Sequence, residues 1–383
     1  MIQPPSSNSA KTDTALAVYI VGAALLFASA YIVNLESGPI YFGLGALFLA
    51  VICVMAKGPQ MPSRGGLLLI AMSTIAVFNT LFAISREQTA ARWLMVVGLY
   101  ACSLRLTEIP APAIRRTLEA TLPVCLLAQI FALQWHLSSN LDQEKTRLIW
   151  HTISLFAGLL VAIGLAYANR WIGLAVTATG AGFIAFSGAR GALFGLAGIA
   201  LTWVVCQRPG RRSAYAALVI IITLCLLLFG SDLLNAFSSI KVVRLSDDPI
   251  EHMIKSFEGR TALVRDAFDF AKAEPFFGTG IGTAYFPSFK AMTGLGHPHN
   301  SYVGMIIEMG FVIGPLYLIG SVLALINAVK IDPSSRLALL LAPSIAYFLS
   351  RGLAENYTLL GLGNFASSLV VLMVAAAINH RAR

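Results

Sequence analysis

Two histidines and an asparagine, His297, His299 and Asn300, close a long polar stretch at the mouth of an apolar segment, GHPHNSYVGMIIEMGFVIG, running from Gly296 to Gly314. A neutral imidazole titrates near physiological pH, so it takes a proton from a hydroxyl nucleophile and passes it on to water. The same residues also suit a plainer task, with Asn300 as the N-cap of a membrane-entering helix and Pro298 stiffening the approach. In both readings the imidazoles stand at a water–lipid boundary, because Tyr302 to Ile307 are apolar enough to enter hydrocarbon.

Arginines supply the second kind of chemistry. Arg190 sits among small residues in FSGARGALFG, between two apolar runs, where a guanidinium faces protein or water rather than lipid and is a functional candidate by default. Gly188, Ala189 and Gly191 leave room for a large anion to approach the backbone. A snorkelling interfacial arginine is the plainer account. Arg260 and Arg265 lie in GRTALVRDAFDFAKA, which has helical character and stops at Glu274-Pro275. Arg260 shares a helix face with Leu263, Val264, Ala267 and Ala271, and so is expected against the membrane-facing core. Arg265 lies on another face, where Asp269 at i+4 offers it a surface pair. The following GTGIG, Gly278 to Gly282, resembles half a phosphate loop but has no Lys-Ser/Thr after it, and reads as a turn. Asp247 and Asp248 have no second carboxylate cluster to complete a cation site, so no metal is expected. Glu308 lies on the apolar stretch, suited to orienting a histidine or to a packing role.

The elements that hold these residues are membrane spans. The chain has 383 residues, of which 57% are hydrophobic and 12% charged, with a mean hydropathy of +0.77; soluble domains carry about 25% charged residues. Apolar runs of spanning length fall near 15–33, 39–56, 66–84, 90–104, 117–135, 148–168, 171–187, 191–206, 214–230, 301–329, 337–350 and 358–378. The fold class is therefore an all-α polytopic membrane protein with about twelve helices, ten to twelve if 90–104, with Arg92, and the division around Ser187 to Gly191 are read differently. With both ends inside, fourteen Lys and Arg fall in cytoplasmic connections, against six in the opposite short ones: Arg86, Arg92, Lys145, Arg147, Arg190 and Arg351. That asymmetry sets the orientation, and it accounts for the net charge of +9 without a nucleic-acid partner. Three regions follow: 1–230 as a bundle of about nine spans, 231–300 as an extracytoplasmic loop carrying the catalytic elements, and 301–383 as about three further spans. The outer loop at 136–147 reads as a solvated mixed-charge surface. The start of the chain lacks a cleavable secretory pattern, so the first span is expected to be retained. All five cysteines fall inside expected spans, as small packing residues rather than disulfide or metal-site partners.

On three motifs the chain resembles the O-antigen ligase and polymerase superfamily of bacterial envelope glycosyltransferases. They are the SGAR-G element at Ser187 to Gly191; GR-x-x-L-V followed by EP-x-x-G-x-G-x-G, from Gly259 to Gly282; and His299-Asn300, nine residues, then Gly310. The ligase pattern has a further glycine three residues on, where this chain has Gly314, four on. The resemblance implies a GT-C-like membrane fold with a largely helical periplasmic loop, in the bacterial inner membrane, its active site facing the periplasm. A glycan is moved from undecaprenyl pyrophosphate to an acceptor hydroxyl, that of lipid A-core for a ligase, with no nucleotide sugar, cofactor or metal. The alternatives within the superfamily are an O-antigen or exopolysaccharide polymerase and a protein O-oligosaccharyltransferase. Residue by residue, the resemblance implies Arg190 and Arg260 on the pyrophosphate, with Arg265 as a second loop arginine, and His299 as activator of the acceptor; His297 and Asn300 support it. Chemistry agrees, since guanidinium groups stay charged at membrane depth and offer bidentate donors to a pyrophosphate that gains charge as it leaves. No carboxylate pair stands at glycosidase spacing, so one-step displacement with inversion is the expected course. A polyprenyl-linked sugar transporter or flippase is the reading from another class; it calls for interrupted spans paired between two related halves.

Overall fold

The computed structural model describes residues 63–87, 89–94, 96–97, 126, 130, 143–167, 170–187, 190–207, 213, 265–266, 268–269, 271–272, 276–281, 300–331 and 336–353. Every regular element among them is helical: α1 (Ser63–Leu81), α2 (Gln143–Ala166), α3 (Arg170–Ser187), α4 (Arg190–Val205), α5 (Ser301–Lys330) and α6 (Arg336–Arg351). Positions within 86–97 and 265–272 are helical as well. These helices coincide with six of the expected spans, and α3 gives way to α4 between Ser187 and Arg190, where the division was expected. The expected spans at 15–33, 39–56, 214–230 and 358–378 lie outside the described residues, as does most of that at 117–135. The outer loop expected at 136–147 is shorter: α2 begins at Gln143 and takes Glu144, Lys145 and Arg147 into its first turns.

Small residues let these helices meet closely. A Cβ on Gly164 would stand 2.7 Å from the carbonyl oxygen of Gly173, and one on Gly180 would stand 2.7 Å from that of Ala157, so α2 and α3 touch backbone to backbone. Where lipid removes the hydrophobic drive for association, such contact is what holds helices together. On the outside, Val312, Leu316, Ile319, Leu323 and Ile326 of α5 are exposed along one stripe, while Ile313, Ser321, Ala324 and Ala328 on the other face are buried. Trp171 and Leu174 of α3 and Leu193 and Leu201 of α4 are exposed in the same way. Apolar stripes of this kind mark surfaces that meet lipid or another protein, and they suit the membrane setting expected from the composition. Among the described residues α5 is the one helix long and apolar enough to cross a membrane by itself.

α5 is not the continuous span that its hydropathy suggests. Gly310 has φ 76° and ψ 174° inside it, a region open essentially to glycine alone. The helix therefore breaks ten residues in, about 15 Å from its start at 1.5 Å per residue.

Candidate active site

The entry of α5 is the best-defined part of the site. Asn300 has an extended backbone, φ −148° and ψ 115°, and its Oδ1 accepts from the N–H groups of Tyr302, at 3.0 Å, and Val303, at 3.2 Å. The expected N-cap is present. The capped turn is then fastened to the end of α6: Ser301 N–H donates to the Gly352 carbonyl (2.8 Å), Asn300 Nδ2 donates to that of Leu353 (3.2 Å), and the Tyr302 hydroxyl donates to that of Leu349. His297 and His299 themselves lie outside the described residues.

The last turns of α6 also receive α2 and α4. The ring of Tyr347 fills the space left by two glycines, since a Cβ on Gly158 of α2 or on Gly195 of α4 would strike it at 2.1 and 2.4 Å. Its hydroxyl donates to the Ser154 carbonyl (2.6 Å) and accepts from Arg351 Nη1 (2.9 Å). Arg351 is fully buried, and its guanidinium carbon lies 5.9 Å from the centre of the Tyr347 ring. Arg190 is the first residue of α4. The helix that it opens and the helix entry that follows His299 are thus both docked on one end of α6. Among the expected roles Arg351 had only that of a loop charge; an arginine at the end of an apolar run was the available signal.

A second junction joins the glycine-rich stretch 276–281 to the break in α5. With Gly310 out of helical conformation, the Ile307 and Glu308 carbonyls lose the N–H partners that a continuous helix supplies four residues on. The glycine loop replaces them: Thr279 N–H donates to Ile307 O (2.9 Å) and Gly280 N–H donates to Glu308 O (3.0 Å). Gly278, at φ +68°, passes so close that a Cβ would come within 2.5 Å of the Glu308 carbonyl carbon and of the Met309 nitrogen. The turn expected over Gly278 to Gly282 is present through residue 281, and it is more than a surface turn: residues 276–281 form a hook seated in a broken helix. Phe277 stacks on Phe82 and Phe78, with ring centres 4.9 and 5.6 Å apart. On the far side, Ile84 N–H donates to Thr279 O (2.9 Å) and Arg92 Nη1 donates to Ile281 O (3.0 Å). Arg92, which made the 90–104 run look unusual, is thereby a structural ligand of the loop.

The helical positions at 265–272 rest on the same part of α5. Phe268 meets Phe311 edge-on at 5.5 Å, just beyond the break, and Ala271 is buried. Arg265 is exposed, as its helix face predicts, while Arg260 lies outside the described residues. The expected Arg265–Asp269 pair is replaced by another: Asp269 accepts from Lys272 Nζ at 2.7 Å. That hydrogen bond and the Lys272 charge hold the Asp269 carboxyl below the ordinary carboxylate range, with a smaller contribution from the Arg265 charge. Lysine three residues on is as near as arginine four residues back, and its flexible ammonium adapts more readily.

The segments that bear the candidate residues therefore converge on α5 and α6. α4 starts at Arg190, the helical stretch at 265–272 contains Arg265 and follows Arg260, and α5 starts directly after His299-Asn300. Residues 173–318 match the family model described as O-Antigen ligase. That segment includes the candidates Arg190, Arg260, Arg265, His297, His299 and Asn300 and the break at Gly310, and excludes Asn79, Arg92 and Arg351. No curated protein matches the chain.

Proposed function

We propose that this protein, whose residues 173–318 match the family model described as O-Antigen ligase, is a membrane glycosyltransferase of the O-antigen ligase and polymerase kind, and specifically an O-antigen ligase. It transfers a polysaccharide from undecaprenyl pyrophosphate to a lipid A-core hydroxyl at the periplasmic face of the inner membrane. His299 takes the proton of the acceptor hydroxyl as the oxygen bonds to the anomeric carbon. The bond from that carbon to the pyrophosphate oxygen breaks on the opposite side, and undecaprenyl pyrophosphate leaves with the electron pair, so the configuration inverts. Arg190 and Arg260, with Arg265 in reserve, bind the pyrophosphate and stabilise its growing charge. His297 orients the loop, and no metal takes part.

The observation that supports this reading best is the fastening of the α5 entry. A base works only when held within hydrogen-bond reach of its proton, and the residue that follows His299 is fixed by a cap and by bonds to the end of α6. One feature favours transport instead, because a discontinuous membrane helix is a hallmark of ion and substrate sites in transporters. In α5, however, the carbonyls freed by the break are taken up by Thr279, Gly280 and Asn79, and no other described helix holds a comparable break. This supports transfer over transport.

The test uses purified protein with lipid-linked donor and lipid A-core acceptor, a chelator being present. His299→Ala should lower the rate by about 10² to 10⁴ while still binding donor; near-normal transfer, or a product of retained configuration, rules the mechanism out. In a deletion strain, lipopolysaccharide with intact core and no polysaccharide marks a ligase, whereas core bearing a single repeat unit marks a polymerase.

A further inference from the structure

Asn79 lies in α1, far from the matched segment in sequence, and is wholly buried. Its Nδ2 donates to Phe277 O (2.5 Å) and to Glu308 O (2.9 Å), while its Oδ1 accepts from Trp93 Nε1 (2.8 Å) and from Ile281 N–H (3.1 Å). Two donors and two acceptors are the ordinary capacity of a carboxamide, and here all are used. The orientation of the amide is settled by its neighbours, since two are carbonyls and two are N–H groups. One side chain thereby binds the hook on both sides of its glycines and binds the broken helix as well.

We propose that Asn79 is a positioning residue of the transfer reaction, a role that rests on the transferase reading: it sets the distance between the arginine-bearing loop and the histidine-bearing entry of α5. Upstream of the hook lies the helical stretch with Arg265, touching Phe311 through Phe268. Upstream of Glu308 lies the entry of α5 at Ser301, seven residues or about 10 Å away along the helix, and His299 comes just before that entry in the sequence. Asn79 touches neither reacting group. Its carboxamide bridges the Phe277 and Glu308 carbonyls, one from each half of the site, and with the bonds from Thr279 and Gly280 it fixes how the two halves sit against each other. An aspartate keeps the size but cannot serve both carbonyls: as a carboxylate it donates to neither, and when burial protonates it, it donates to one at most.

The experiment compares Asn79→Asp with the unaltered full-length chain, on the monodisperse fraction of each, in the transfer assay and by amide hydrogen exchange. Expected is a fall in kcat of about 10²-fold, the effect of displacing reacting groups by about 1 Å, with the KM for donor near its wild-type value. The Thr279 and Gly280 amides should lose protection while α2 and α3 keep theirs. A merely structural role would lower the yield of folded protein and leave kcat unchanged. Unchanged kcat, or a hook that stays protected, overturns the proposal. Should Asn79→Asp fail to insert, Trp93→Phe removes the bond that holds the carboxamide in place; a smaller fall in kcat supports the proposal, and a wild-type kcat overturns it. Absence of transfer by the unaltered chain sinks the transferase reading and this role with it, whereas transfer that survives Asn79→Asp sinks this role alone.

Discussion

Gly278→Ala tests the hook most directly, because a single methyl group is forced against backbone that cannot rotate away. At φ +68° a residue with a Cβ is disfavoured by about 1–2 kcal/mol. The new Cβ would lie 2.5 Å from Glu308 C and Met309 N and 2.6 Å from Glu308 O, so the hook must retreat by about 1 Å to restore ordinary contact. Its bonds from Thr279 to Ile307 O and from Gly280 to Glu308 O, now 2.9 and 3.0 Å, then open to about 4 Å, beyond hydrogen-bonding range. Each buried group left unpaired costs about 1–3 kcal/mol, so seating the hook becomes less favourable by roughly 3–8 kcal/mol in all. The loss of global stability is smaller, because it is capped by whatever the seated hook contributes. Beyond that cap the loop leaves the break, and the rest of the bundle persists as a separate cooperative unit.

Three measurements on the purified variant follow: rapid amide exchange at Thr279 and Gly280, a modest shift in thermal unfolding, and strongly reduced transfer. Gly182→Ala and Gly320→Ala are the matched controls. Both glycines are helical, and a Cβ at either position would meet nothing within 4 Å; each change should be neutral or stabilising, by up to about 1 kcal/mol. A Gly278→Ala protein with protected hook amides and full transfer would refute the seating of the hook and the arithmetic with it.

Two further substitutions probe the end of α6. Tyr347→Phe keeps the ring between Gly158 and Gly195 but removes the hydroxyl between Arg351 and Ser154 O; thermal unfolding should show a loss of roughly 1–3 kcal/mol, since the buried guanidinium loses an acceptor. Asn300→Ala should cost about 1 kcal/mol in helix capping and reduce transfer, with Asn300→Asp closer to wild type in stability, because a carboxylate still accepts from Tyr302 and Val303 but cannot donate to Leu353 O.

Much of this was legible in the sequence. Hydropathy found α1 to α6 because each is an apolar run ended by charged or turn-forming residues, and Asn300 was readable as a cap because capping is local. The break at Gly310 was not, since single glycines are common in membrane helices and nothing in GMIIEMGFVIG tells which one leaves helical conformation. The break exists because a partner arrives from 28 residues upstream in the chain, where Thr279 meets Ile307. Arg92 and Asn79 were hidden for the same reason, their loop partners lying 189 residues away or more. The Asp269 pairing failed differently: both basic neighbours are within one helical turn, and spacing does not choose between i+3 and i−4.

The broken helix explains why a polar loop should be bound so deeply. With the membrane boundary at Ser301, as the proposed function has it, a helix that breaks about 15 Å further on would open about halfway through a core of about 30 Å. Lipid chains cannot pair with carbonyls freed at that depth, and here Thr279, Gly280 and Asn79 do so. Apolar packing cannot hold a loop at that depth with any precision, because lipid chains compete for the same surface. Hydrogen bonds can, since every alternative position leaves polar groups unpaired in a medium of low dielectric constant. A glycine hook, a saturated carboxamide and a buried arginine therefore form a lock whose strength comes from the surrounding lipid. It stands between the stretch that contains Arg265 and the helix entered through Asn300, so in the proposed transfer it would hold the distance on which a reaction shared between the two depends.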